Sequence, residues 1–217
     1  DGKTAELMAA VAEHVAFRRE QGDSREWNAY APAIGDDVGV VAFRYCCLDW
    51  ADEDAYAAEE AEKGLLEHWN ANVDQYVARY EHYLTEVDFD DSHWNDEAGP
   101  WTYFGVTTWR VAPGKDGDFN AMKSKMSQMA KDGNWAGGQR YWSWTSRIGG
   151  TSAEALISPF KNYADMAPPE QTFYQFAVEQ MGEDAANEMF GKFSKSTRGY
   201  EYTVWRHLPE LSIRHGE

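Results

Sequence analysis

Two phrases of this chain repeat at long range. Residues 24–36 read SREWNAYAPAIGD and residues 138–150 read GQRYWSWTSRIGG. Both are aromatic-rich and end in Ile-Gly, the look of a strand entering a tight turn. Their neighbours match in the same order. Gly2-Lys3 precedes a helical stretch as Gly114-Lys115 does, and Asp49-Trp50-Ala51-Asp52 corresponds to Asn162-Tyr163-Ala164-Asp165. Glu86–Trp94 then stands where Thr197–Trp205 stands, and the paired positions stay 111 to 114 residues apart. A fixed offset of this kind is the mark of an internal duplication, so the chain has to be explained as two copies of one supersecondary unit.

The second copy defines the unit. Trp101–Val111 (WTYFGVTTWRV) alternates and is rich in aromatic and β-branched residues, which predicts a strand closed by Pro113-Gly114. Phe119, Met122, Met126 and Met129 follow at helical spacing up to Gly133. Gln139–Arg147 and Glu154–Ser158 read as strands around a Gly149-Gly150 turn. Pro168-Pro169 opens a helical region to about Ser194, interrupted near Gly182, and Tyr200–Arg206 reads as the closing strand. The order is β-α-β-β-α-β.

On the first copy the same template gives a helix over Thr4–Glu20, strands over Glu26–Ala33 and Val38–Cys47, a mostly helical Asp54–Tyr83 and a closing strand over Val87–Trp94. The counterpart of Trp101–Val111 falls before Asp1, so the first unit (1–98) is expected to lack its first strand here, and the second unit (99–217) to be complete.

Charge is unevenly divided. Residues 1–100 hold 7 Lys+Arg against 24 Asp+Glu, a net of −17, and residues 101–217 hold 13 of each. Such a surface repels phosphates, so nucleic acid is not an expected partner; solubility explains the excess most simply, with a cationic protein partner or ligand on residues 1–98 as the sharper reading. No apolar run is long enough to span a membrane. Localisation is left open, with an extracytoplasmic site conceivable if a signal segment was removed. Adjacent Cys46 and Cys47, placed in a strand, point to opposite faces, which argues against a disulfide between them. Asp88–Glu97 lacks the EF-hand order and reads as a solvated strand end; no metal site and no cofactor is expected. Phosphate loops, dinucleotide fingerprints and nucleophile elbows are missing from the sequence.

Ten Trp and twelve Tyr are more large rings than one buried sheet face needs. The doubled β-α-β-β-α-β order, the helix after a Pro-Gly-Lys strand end and the aromatic closing strand resemble the dimeric α+β barrel (ferredoxin-like) superfamily in its tandem form. The resemblance implies an α+β fold in which two ferredoxin-like units pack their sheets face to face as a barrel, with helices outside and often a pocket within. It carries over no functional residue, since members include cofactor-independent oxygenases, isomerases, haem enzymes and proteins without a reaction.

The residues themselves support a small-molecule-binding protein with an aromatic-lined interior. The candidate ligand-binding set is Trp142, Trp144, Trp205, Tyr202 and Arg147, an arginine beside rings suiting a planar anion. The catalytic candidate is His207, at the end of the last strand. His14 and His68 read as surface residues among charged neighbours, and His82 as half-buried. Two alternatives stand beside the binder: a cofactor-independent oxygenase or isomerase acting on a small aromatic or apolar substrate, and a non-catalytic interaction module or homo-oligomer.

Overall fold

The structure, a computed structural model, describes residues 2–36, 38–47, 49–137 and 140–214. It is a mixed α+β fold with an antiparallel sheet of seven strands and six α-helices among the described residues. The chain divides into two compact units. The first comprises residues 1–33, 37–81 and 206–217; the second comprises residues 34–36 and 82–205.

In the first unit, α1 (Thr4–Glu20) buries Ala10, Val11, His14, Val15 and Arg18, positions three and four apart that form one stripe. The stripe packs on Trp27 and Ala29 of β1 (Trp27–Ile34) and on Leu208, Leu211 and Ile213 of β7 (Thr197–Ile213). β1 also pairs antiparallel with β2 (Ala42–Arg44), with Asn28 opposite Arg44 and Tyr30 opposite Ala42. Asp49 starts α2 (Trp50–Glu62) with a capping box completed by Asp52. Gly64, at φ 64°, turns the chain into α3 (Leu65–Asn72), the helix break that the glycine predicts.

In the second unit, the hydrogen-bonded strand order is β7, β4 (Tyr103–Val111), β6 (Glu154–Phe160), β5 (Trp142–Ile148) and β3 (Leu84–His93). α4 (Asp116–Asp132) lies against β3, and it packs on α6 (Glu183–Lys195), which in turn packs on α5 (Phe173–Met181). Phe119 of α4 sits fully buried in a cluster with Trp135, Trp142, Trp144 and Phe176. Thr172 and Gln175 form the capping box of α5, and Gly182 at φ 83° separates it from α6.

Several expectations are corrected. Cys46 and Cys47 are joined by a disulfide. β2 ends at Arg44, so strand alternation no longer governs the pair, and Cys47 takes φ 70°, which turns its side chain to the same side as Cys46. His14 is fully buried and His68 half-buried, whereas His82 is exposed. The last strand continues to Ile213, well past Arg206, because Pro209 sits in it as an exposed residue without breaking it. No helix among the described residues is long and apolar enough to cross a membrane.

Candidate functional site

Polar side chains gather in three places, and accessibility separates them. The first lies inside the first unit. Arg18 donates through Nε to Asp23 Oδ2 at 2.6 Å and through Nη2 to the Tyr56 hydroxyl, which donates to Asp23 Oδ1 at 3.1 Å. The guanidinium stands 4.5 Å from the Trp27 ring centre, and Arg18 Nη1 is 3.3 Å from His14 Nε2. His14 Nδ1 in turn meets His68 Nδ1 at 3.0 Å. Burial, then the charge of Arg18, holds the His14 pKa down at about 4, and burial pushes the Tyr56 hydroxyl up. The members bind one another, so the network braces α1.

The second gathering, in the second unit, centres on Lys123. Its ammonium, almost wholly buried, lies 2.7 Å from Asp88, 3.9 Å from Asp91 and 4.0 Å from Glu154. Ser124 donates to Asp91, and the Trp142 indole donates to the Asp91 carbonyl at 2.8 Å. The acidic stretch read as solvated is thus partly committed to a buried cation.

The third gathering is half-buried to exposed, apart from Ser212. Trp27 and Ala29 point at α1, so alternation puts Asn28 and Tyr30 on the other face of β1. His207 of β7 lies on that face, half-buried, with its ring 5.4 Å from the Tyr30 ring and its Nε2 3.1 Å from Ser212 Oγ. Ser212 Oγ is also 2.9 Å from the Leu208 carbonyl and accepts the Ala29 amide at 2.9 Å. A hydroxyl has one proton, and the carbonyl can only accept it, so Ser212 donates to Leu208 and accepts a hydrogen bond from His207 Nε2–H. That fixes the tautomer and leaves Nδ1 as the basic nitrogen of His207.

The surroundings favour a neutral imidazole. Burial and then the charge of Arg214 lower the His207 pKa, and Glu210 opposes them. Burial raises the Tyr30 pKa against the charges of Arg44 and Arg214. Arg214 donates to Asn28 Oδ1 at 3.1 Å through Nη2. A neutral base, a phenol and two guanidinium charges therefore serve one sheet face of the first unit. This set can take a proton and favour the anion left behind.

The predicted ligand set is dispersed. Trp142 and Trp144 do share a face, but they are 6% and 4% exposed, packed among the helices, and the Trp144 indole donates to Ser127 Oγ at 3.1 Å. Arg147 lies over the Tyr83 ring at 4.0 Å. Tyr202 is 42% exposed above Gly105, and Trp205 is half-buried on β7. Of the residues on this face, the sequence pointed to His207 and not to Tyr30, Ser212, Arg44 or Arg214. The alternation of β1 around Trp27 and Ala29 was a usable signal for Tyr30; nothing local marked Ser212 or Arg214.

No protein-family model matches the chain, and no curated protein matches it. Among solved structures it is similar to a protein of Lactobacillus acidophilus NCFM named "putative monooxygenase", with a TM-score of 0.51 and 10% identity over 99% of this chain and 90% of that one. It also aligns with an "anthrone oxidase-like protein" at a TM-score of 0.46 and 14% identity, over 90% of this chain and 86% of that one. The first likeness is one of fold alone.

Proposed function

We propose that this chain binds a small aromatic molecule carrying an acidic O–H or C–H and removes that proton, as an oxygenase-type α+β barrel protein that works without a bound cofactor. The observation that carries the reading is the fixed tautomer of His207. Its Nε2–H is committed to Ser212, which leaves Nδ1 as the basic nitrogen of a ring whose pKa is lowered by burial and by Arg214. Proton removal leaves the substrate as an electron-rich anion, and the charges of Arg44 and Arg214 favour that anion over the neutral acid. An anion of this kind is the form of an aromatic substrate that dioxygen can oxidise.

The strand order β7-β4-β6-β5 supports reading residues 99–217 as one β-α-β-β-α-β unit, since it sets the last, first, third and second strands of that unit side by side. The repeated phrases support residues 1–98 as its tandem copy. A monooxygenase-named structure of similar fold is consistent with the oxygenase side of the reading.

The test is dioxygen uptake by the purified protein over a panel of phenols and hydroxylated polycyclic aromatics, with His207→Gln alongside. The expected result is uptake with at least one compound, abolished in His207→Gln and rising with pH through the lowered histidine pKa. Ligand-induced shifts of the His207 and Tyr30 resonances with no uptake would reduce the reading to a binder. Neither shifts nor uptake across the panel would remove it.

A further inference from the structure

A cleft of about 480 Å³ opens in the first unit, away from His207, between the approach to β1, the end of β2 and α2. Its lining includes Arg25, Tyr45, Tyr56, Asp52 and the bonded pair Cys46 and Cys47. The Arg25 guanidinium is layered between two rings, 3.5 Å from the centre of Tyr56 and 4.2 Å from that of Tyr45, and its Nη2 donates to Glu53 Oε1 at 2.8 Å. Tyr45 therefore forms one wall of the cleft, and it is covalently next to Cys46.

The disulfide does not act as a staple. A cross-link lowers the entropy of the unfolded chain by an amount that grows with the logarithm of the loop that it closes, and here no residue lies between the two cysteines. Both are exposed, so a thiol can reach either sulfur, and exposed disulfides are the labile ones. The bond also holds Cys47 in the left-handed region, at φ 70°, where a residue with a Cβ rarely rests. Once the bond is open, nothing in the pair holds that backbone, and the Tyr45 side of the cleft is released with it.

We propose that Cys46 and Cys47 are a reversible thiol–disulfide centre that reshapes the Tyr45–Arg25 wall of this cleft when it is reduced. An incoming thiolate attacks one sulfur, and the Cys46–Cys47 bond breaks with its electron pair staying on the other sulfur, which takes a proton. A second thiol of the reductant displaces the resulting mixed disulfide. The protein leaves as a dithiol and the reductant as its disulfide, and a small-molecule disulfide runs the steps backward. Glu26, Asp52 and Glu59 also line the cleft, so a neutral or cationic thiol is the reductant class it admits.

The intact protein, without denaturant, is treated with dithiothreitol, alkylated with iodoacetamide and weighed. Alkylation of both cysteines after dithiothreitol and of neither before it is expected, with protection restored by cystamine. The Arg25 Nε–H resonance is expected to move on reduction and to sit at its reduced position in Cys46→Ser/Cys47→Ser with or without reductant. At low salt cysteamine is expected to reduce the bond faster than mercaptoacetate, a gap that closes as salt screens the cleft. Alkylation of the air-equilibrated protein, reduction only in urea, loss of folding on reduction, or an Arg25 resonance indifferent to it would each overturn the proposal. Equal rates for the two thiols at all salt concentrations would overturn the reductant class.

Discussion

His14 and His68 meet Nδ1 to Nδ1 at 3.0 Å where α1 packs on α3, so one of the two imidazoles supplies the proton that the other accepts. Arg18 can only donate to His14 Nε2, so it is the neutral His14 that fits between Arg18 and His68, and its pKa lies near 4, well below the ordinary histidine value of 6.5. The folded state thus binds this proton less readily than the unfolded chain does. The stability that His14 contributes is complete above about pH 6.5 and is lost as pH falls toward 4, a loss on the order of 3 kcal/mol. Urea midpoints between pH 7 and pH 4 measure it, and His14→Gln is expected to flatten the decline in that window. A wild-type midpoint that does not change there would refute the assignment.

Behind this pair, Arg18 and Asp23 form a buried ion pair, 5% and 2% exposed, that shares Tyr56. Asp23→Ala leaves a buried guanidinium without its carboxylate and is expected to cost about 3–5 kcal/mol. Tyr56→Phe removes one hydrogen-bonding hydroxyl and is expected to cost about 1–3 kcal/mol. The two substitutions act on one network, so the double variant is expected to lose less than the sum. Equilibrium unfolding of the four proteins checks this, and strict additivity would speak against a shared network.

Element order was legible in the sequence because it is written in local chemistry. Alternating aromatic residues mark β4 and β5, and Gly64 and Gly182 break the helices where φ turns positive. The polar interior was not legible. His14 and Arg18 look like surface residues from their charged neighbours, and only the position of Asp23, just past the end of α1, makes their burial affordable. The cysteine pair was misjudged because the alternation rule was applied two and three residues beyond the end of β2, where it no longer holds. Trp142 and Trp144 were assigned to one face, which the structure repeats; which of the two faces meets the helices is set by α4, a contact that strand periodicity does not encode.

Gly105 is buried on β4, and a Cβ there would run into the Tyr202 hydroxyl and stand 3.1 Å from the Phe160 ring. Gly105→Ala is therefore expected to cost about 1–3 kcal/mol through overpacking. Tyr202→Phe removes the atom that the methyl meets first and is expected to recover part of the loss. Thermal unfolding of the single and double variants decides the matter; a double variant no more stable than Gly105→Ala would place the strain on the Phe160 and Tyr202 rings, each 3.1 Å away.

Lys123 offers a test in which pH separates charge from packing. Asp88 is under opposing influences: burial raises its pKa, while the Lys123 hydrogen bond and the Asp91 amide outweigh burial and hold it below the ordinary value of 3.8. Its contribution to stability is present above about pH 3.8 and is lost as pH falls through the depressed folded value. Lys123→Met keeps the aliphatic stem beside Trp144 but withdraws the cation from Asp88, Asp91 and Glu154. At pH 7 the variant is expected to lose about 3–5 kcal/mol, because carboxylates are left in a half-buried site without their counter-charge. As pH falls toward 3 the gap between wild type and variant is expected to shrink, since protonated carboxyls no longer need the lysine. The His14 contribution falls equally in both proteins and cancels in the difference. Urea midpoints at pH 7 and pH 3 therefore isolate the charge term. A gap of the same size at both pH values would assign the role of Lys123 to packing of its stem alone.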